Sequence, residues 1–132
     1  MNTRIETIPQ KKLIGKHLTM TLTNNKTTEL WKSFMVIRKT ILNNINNNLI
    51  SMQVYNKSFD INNFNKDTVF EKWATVEVSN FNSIPEGMET YTLSGGLYAV
   101  FIYKGNPING DKMFQYIFTQ WLPSSPYMLD NR

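Results

Sequence analysis

The chain has 132 residues, a formal charge of +4 from 14 Lys and Arg against 10 Asp and Glu, one histidine and no cysteine. That length suits a single domain able to hold a core without staples, and the absence of cysteine excludes disulfides, thiolate metal centres and thiol nucleophiles. Lysines are scattered rather than gathered on one face, and no helix-turn-helix pattern occurs, so direct nucleic-acid binding is not expected.

Met1–Lys12 is polar and has no signal-peptide core, and no apolar run anywhere is long enough to span a bilayer. A cytoplasmic protein with no membrane partner is expected. Lys12–Leu22 follows, with Leu18, Met20 and Leu22 alternating against Thr19 and Thr21 as in a half-buried strand. The polar turn Asn24–Thr28 leads into a helix, with Thr27 or Thr28 as cap. Leu30, Phe34, Ile37, Ile41 and Ile45 recur at three- and four-residue intervals, which predicts an amphipathic helix ending in the Asn46–Asn48 run.

Leu49–Tyr55 reads as a strand, residues 56–68 as a polar loop and Phe70–Val78 as a second strand. In that strand Lys72, Ala74, Val76 and Val78 alternate with Glu71, Trp73, Thr75 and Glu77. Turn chemistry at Ile84–Gly87 precedes two further strands, Met88–Leu93 and Leu97–Tyr103, with Gly95 and Gly96 marking a hairpin or a bulge between them. A loop starts at Gly105. A helix from Asn109 or Gly110 carries Met113, Phe114, Ile117, Phe118, Trp121 and Leu122 on its apolar side, and Pro123 is expected to end it.

This order suggests a β-α-β-β unit written twice, over residues 1–80 and 86–132 approximately, with the second copy lacking its final hairpin. The expected class is α+β: an antiparallel sheet with two helices on one face and a ligand cleft on the other. A sheet without its closing strands needs its edge covered by a partner or by the tail.

Glu77 is the most informative residue. If Ala74, Val76 and Val78 pack on the helices, then Trp73 and Glu77 share the other face. That face is either a cleft or the wet side of a half-covered sheet. In a cleft, a carboxylate beside an aromatic wall suits a lipophilic cation, or would act as a general base for water. Tyr98, opening a strand beside two glycines, is placed to turn its hydroxyl into such a cleft or to pack as an ordinary cross-strand residue. His17 lacks a cysteine or carboxylate pattern around it and reads as an exposed strand histidine, so no metal site is expected. Gly105–Lys112 lacks the Gly-Lys-Ser/Thr ending of a phosphate loop, which argues against nucleotide binding.

Four segments, in order, resemble the GyrI-like (AraC-type) effector-binding family: Phe70–Val78 (FEKWATVEV), Ile84–Met88 (IPEGM), Ser94–Phe101 (SGGLYAVF) and Gln120–Ser125 (QWLPSS) with Tyr127 nearby. The likeness runs over residues 4–132. It implies two β-α-β-β modules around a ligand cleft, no cofactor, and Trp73, Glu77, Tyr98, Trp121 and Tyr127 as ligand-binding candidates. Members occur fused to DNA-binding domains, or alone as proteins that bind drugs, inhibit DNA gyrase or hydrolyse reactive cyclopropanes. Members usually continue into a Phe-Glu strand and a last strand bearing an acid, whereas this sequence stops at Arg132. The expectation is a stand-alone binder of a small apolar or cationic ligand, monomeric or homodimeric, serving as a sensor without its own DNA-binding module. The alternatives are a hydrolase using Glu77 with Tyr98, or a gyrase-inhibiting interaction protein.

Overall fold

The computed structural model describes residues 3–56, 63–101 and 110–128. Its strands are β1 (Thr3–Ile8), β2 (Lys11–Met20), β3 (Ile50–Tyr55), β4 (Phe70–Val78), β5 (Glu89–Leu93) and β6 (Gly96–Phe101). Helix α1 covers Thr27–Ile37 and α2 covers Gly110–Tyr116. The class is α+β, as the element order implies. The strands form a four-stranded sheet ordered β3-β4-β2-β5 and a two-stranded sheet β1-β6, both antiparallel.

The two sheets share one ribbon. Lys11 pairs with Leu93 in the larger sheet, and Ile8 pairs with Gly96 in the smaller one, so the register runs through the break unchanged. β1 and β2 are thus successive parts of one strand interrupted at Pro9-Gln10, and β5 and β6 are parts of its partner interrupted at Ser94-Gly95. Proline has no amide hydrogen to give to a ladder. Opposite it the backbones crowd: a Cβ on Gly95 would lie 2.9 Å from the Gln10 nitrogen. Gly96 takes a φ of 149°, which side-chain-bearing residues rarely adopt. The glycine pair therefore marks a bend in a continuous ribbon, where a hairpin or bulge was expected.

β4 is central in the larger sheet, and its alternation sorts the two faces. Phe70, Ala74, Val76 and Val78 share one face with Ile14 and Met20 of β2, and α1 lays Leu30 and Phe34 upon it. Trp31 meets Phe34 edge to face, their centroids 5.7 Å apart. Lys16 reaches out of this face to donate to the Ser33 hydroxyl at 2.6 Å, tying β2 to α1. The second helix comes to the same face at its margin, where Phe118 and Tyr55 meet edge to face at 6.3 Å. Trp121, three residues on, packs against Phe101 of β6 at 5.0 Å, so this helix touches both sheets.

Several sequence expectations are corrected. β1 was not anticipated. Neither Thr27 nor Thr28 caps α1: both lie inside it, Lys26 holds the cap position, and Asn25 Oδ1 accepts the Thr27 amide at 2.9 Å. The helix stops at Ile37, tightens into a 3₁₀ turn over Arg38–Thr40, and does not reach Ile45. Beyond the turn the chain is extended and lies along the end of β4. Ser79 donates to the Asn43 carbonyl at 3.1 Å, and Ile45 to the Glu77 carbonyl at 2.9 Å. Ile41 is buried from this extended segment, whereas Ile45 is 56% exposed. At the other end, the second helix passes Pro123. It widens into a π-helical turn over Ile117–Trp121, in which Leu122 donates to the Ile117 carbonyl, and then closes with the short helix α3 (Leu122–Ser124). The wider turn relieves the clash of the proline ring with the preceding turn, which is why the proline does not end the helix at its own position. The Gly105 loop and the end of the strand expected at Leu97–Tyr103 lie outside the described residues.

Candidate functional site

The face of the larger sheet turned away from α1 carries the side chains of Lys11, Leu13 and His17 from β2, with bare backbone at Gly15, of Glu71, Trp73, Thr75 and Glu77 from β4, and of Glu89 and Tyr91 from β5. It is not a wet face. Leu13 and Thr75 are fully buried and Trp73 is 4% exposed, so apolar material covers the centre while charged groups ring it. Thr75 meets the burial requirement by donating its hydroxyl to the Ile50 carbonyl at 2.9 Å.

Trp73 is the hub. The His17 ring stacks on it, with centroids 4.4 Å apart and planes 22° from parallel, and Tyr91 meets it at 5.3 Å. The indole N–H donates to Glu71 Oε1 at 2.6 Å, which fixes the ring's rotation. His17 lies between two carboxylates: its Nδ1 is 3.5 Å from Glu71 Oε2, and its Nε2 bonds to Glu89 Oε2. Further along β4, Glu77 Oε1 accepts from Lys11 Nζ at 3.2 Å, with both side chains largely covered. Three carboxylates thus face one lysine and one histidine on the side of the sheet that carries the aromatic centre. A hollow of about 280 Å³ is lined by Gly15, Lys16, His17, Gly87, Met88 and Glu89.

Of the residues expected in the site, Trp73 and Glu77 share this face, four residues apart on β4. Tyr98, Trp121 and Tyr127 belong to the other part of the molecule. The Tyr98 hydroxyl donates to the Ser94 carbonyl at the ribbon bend. Trp121 and Tyr127 lie nearly parallel at 6.3 Å, with Phe101 against the edge of the indole. The candidates therefore form two aromatic groups, one acidic and one without a carboxylate among these contacts.

His17 departs from its expectation, since its side chain is only 29% exposed and is enclosed by Trp73, Glu71 and Glu89. The signal was hidden because Glu71 and Glu89 come from other strands, more than fifty residues away in sequence. No group of His, Asp or Glu among the described residues has the arrangement of a metal site. The opposite face carries a separate polar set. Gln53 Nε2 donates to the Tyr55 hydroxyl at 2.7 Å and Gln53 Oε1 accepts from Lys72 Nζ at 3.3 Å. Burial pushes the Tyr55 phenol up, against a smaller opposite effect of the Gln53 bond, and pushes the Lys72 ammonium down.

A buried aromatic centre with carboxylates beside it lies on one face of an antiparallel sheet whose other face packs on α1, an arrangement suited to holding a small molecule. The chain belongs to the family of GyrI-like small molecule binding domains, whose sequence pattern matches residues 1–132. Among solved structures it is similar to an integron cassette protein from the mobile metagenome of Vibrio cholerae. That likeness has a TM-score of 0.63 at 14% identity and covers 96% of this chain and 80% of that one. It is also similar to SAV2435, solved bound to tetraphenylphosphonium, with a TM-score of 0.62 at 17% identity over 89% of this chain and 73% of that one. No curated protein matches the sequence. No described helix is long and apolar enough to cross a membrane.

Proposed function

We propose that the protein binds lipophilic organic cations on the Trp73 face, acting as a stand-alone sensor or sequestering protein. The observation that carries this reading is the indole of Trp73, in contact with His17 and Tyr91 and bonded to Glu71, with Glu89 on the stacked His17 and Glu77 further along the same face. An aromatic ring attracts a cation through its quadrupole, and carboxylates in a partly dry site add Coulomb attraction that water screens weakly. A diffuse cation such as tetraphenylphosphonium, which SAV2435 holds, gives up little hydration on entering such a site.

Binding is favoured over hydrolysis by the positions of the two residues a hydrolase would use. Glu77 is paired with Lys11, and the Tyr98 hydroxyl is turned to the Ser94 carbonyl. We further read residues 1–80 and 86–132 as two modules joined by the bent ribbon.

Thermal unfolding with tetraphenylphosphonium, and with triphenylphosphine oxide as a neutral analogue, tests the reading. A cation at a hundred times its Kd adds about 2.7 kcal/mol of stability. We expect this in the wild type, little from the neutral analogue, and most of it lost in the double variant Glu71→Gln/Glu89→Gln. Equal stabilisation by the neutral analogue, or none by either compound, refutes the proposal.

A further inference from the structure

The cation site already holds a side chain with the properties of its ligand. His17 is a flat ring capable of carrying positive charge, stacked at 4.4 Å on the indole of Trp73. Its two nitrogens face two carboxylates from different strands, Glu71 Oε2 at 3.5 Å from Nδ1 and Glu89 Oε2 bonded to Nε2. An external cation seeking the indole face and these carboxylates would make the contacts that His17 makes now. We propose that His17 is a built-in competitor: as imidazolium it occupies the site, and a bound cation displaces it while its proton passes to solvent.

The inference rests on the cation-binding reading above and adds a regulation to it. Imidazole is the side chain whose charge ordinarily changes between about pH 5 and 8. Charged, it occupies both Glu71 and Glu89, offsets one of their two charges and repels an incoming cation. Neutral, it leaves both carboxylates to the ligand and loses its own reason to stay between them. The other charged groups on this face do not duplicate the effect. Lys11 is paired with Glu77, and Lys16, the next residue to His17, points to the opposite face, where it donates to Ser33. The hollow beside Gly87 and Met88 gives the displaced ring somewhere to swing without unfolding the strand.

The sequence makes the test clean, because His17 is its one histidine. The protein is titrated with tetraphenylphosphonium at a series of pH values between 6 and 8.5. A competitor that is charged at the acid end and neutral at the alkaline end weakens apparent binding severalfold toward acid, up to about tenfold. We expect that slope in the wild type, a flat and tight profile in His17→Gln, and a flat and weak profile in His17→Lys, whose charge is permanent in this range. Proton release should be visible by calorimetry in buffers of different ionisation enthalpy. At pH 6, ring-nitrogen NMR of the single histidine should move from the imidazolium to the neutral pattern on saturation, a readout that does not depend on any variant folding. Binding with identical pH profiles in wild type and His17→Gln, or saturation that leaves the histidine signal unchanged, overturns the competitor role and leaves the cation site standing. Absence of wild-type binding at every pH removes both.

Discussion

Gly15 offers the sharpest test of how the sheet is built, because its neighbours cannot move aside. It sits in the middle of β2, with Thr75 across from it on β4 and Glu89 on β5. A Cβ at this position would collide with the Ala74 carbonyl oxygen and lie 2.8 Å from the Thr75 Cα. Both obstacles are backbone of the central strand, and Thr75 is itself fully buried. A flexible side chain would yield by rotating, whereas here β2 must separate from β4 or break its ladder. Overpacking of a filled interior costs about 1–3 kcal/mol, and an encounter with backbone belongs at the upper end. We therefore expect Gly15→Ala to lose about 3 kcal/mol, which lowers the midpoint of a domain this size by roughly 10 °C. Urea unfolding followed by circular dichroism measures it, since that signal does not depend on Trp73 in the neighbouring site. A loss under about 0.5 kcal/mol, within the range of an ordinary surface substitution, would show that β2 and β4 are not this close and would undo the geometry assigned to the site.

Other outcomes follow from the charges. Lys11→Met should strengthen tetraphenylphosphonium binding by about 1 kcal/mol, measured by calorimetry, because it removes a cation from the face and frees the Glu77 carboxylate. Trp73→Leu should abolish that binding while costing on the order of 2 kcal/mol of stability in urea, through the lost ring contacts with His17 and Tyr91. Burial lowers the Lys72 pKa below 10.5, so in alkali the unfolded chain keeps a proton that the folded one has released, and stability rises with pH up to that value. Lys72→Met should remove this rise in a pH series of urea midpoints. Burial raises the Tyr55 phenol above 10.0, so above that pH the unfolded chain ionises first and stability falls; Tyr55→Phe should blunt the fall.

What could be read from the sequence was what depends on near neighbours. The alternation along Phe70–Val78 assigned Ala74, Val76 and Val78 to the helix side and Trp73 and Glu77 to the other, because strand geometry fixes that choice locally. Leu30 and Phe34 were likewise legible as the buried stripe of α1. Ile41 misled because an apolar residue at helical spacing is buried equally well from an extended segment, and the Asn43 and Asn44 contacts with the end of β4 settle which occurs. β1 was passed over because its Thr, Ile, Arg and Glu read as a polar terminus, and its pairing partner, Gly96–Phe101, lies far along the sequence. The same blindness hid the setting of His17. Its stacking on Trp73 needs the β2–β4 register, and its contact with Glu89 needs β5 beside β2, neither of which local spacing specifies.

The bent ribbon also bears on the order in which the molecule can assemble. Residues 3–20 are synthesised well before residues 89–101, which must follow before the ribbon is complete. Until then β2 has β4 available on one side and a bare edge on the other, while β1 has no partner at all. Contacts so distant in sequence make for slow folding, since the intervening chain must be confined before any ladder bond is gained. They also join the two ends of the process, for a register error at either sheet is propagated into the other through the shared strands. The nascent chain would therefore spend its early life as an incomplete sheet with an exposed edge, the interval in which a chaperone has most to do.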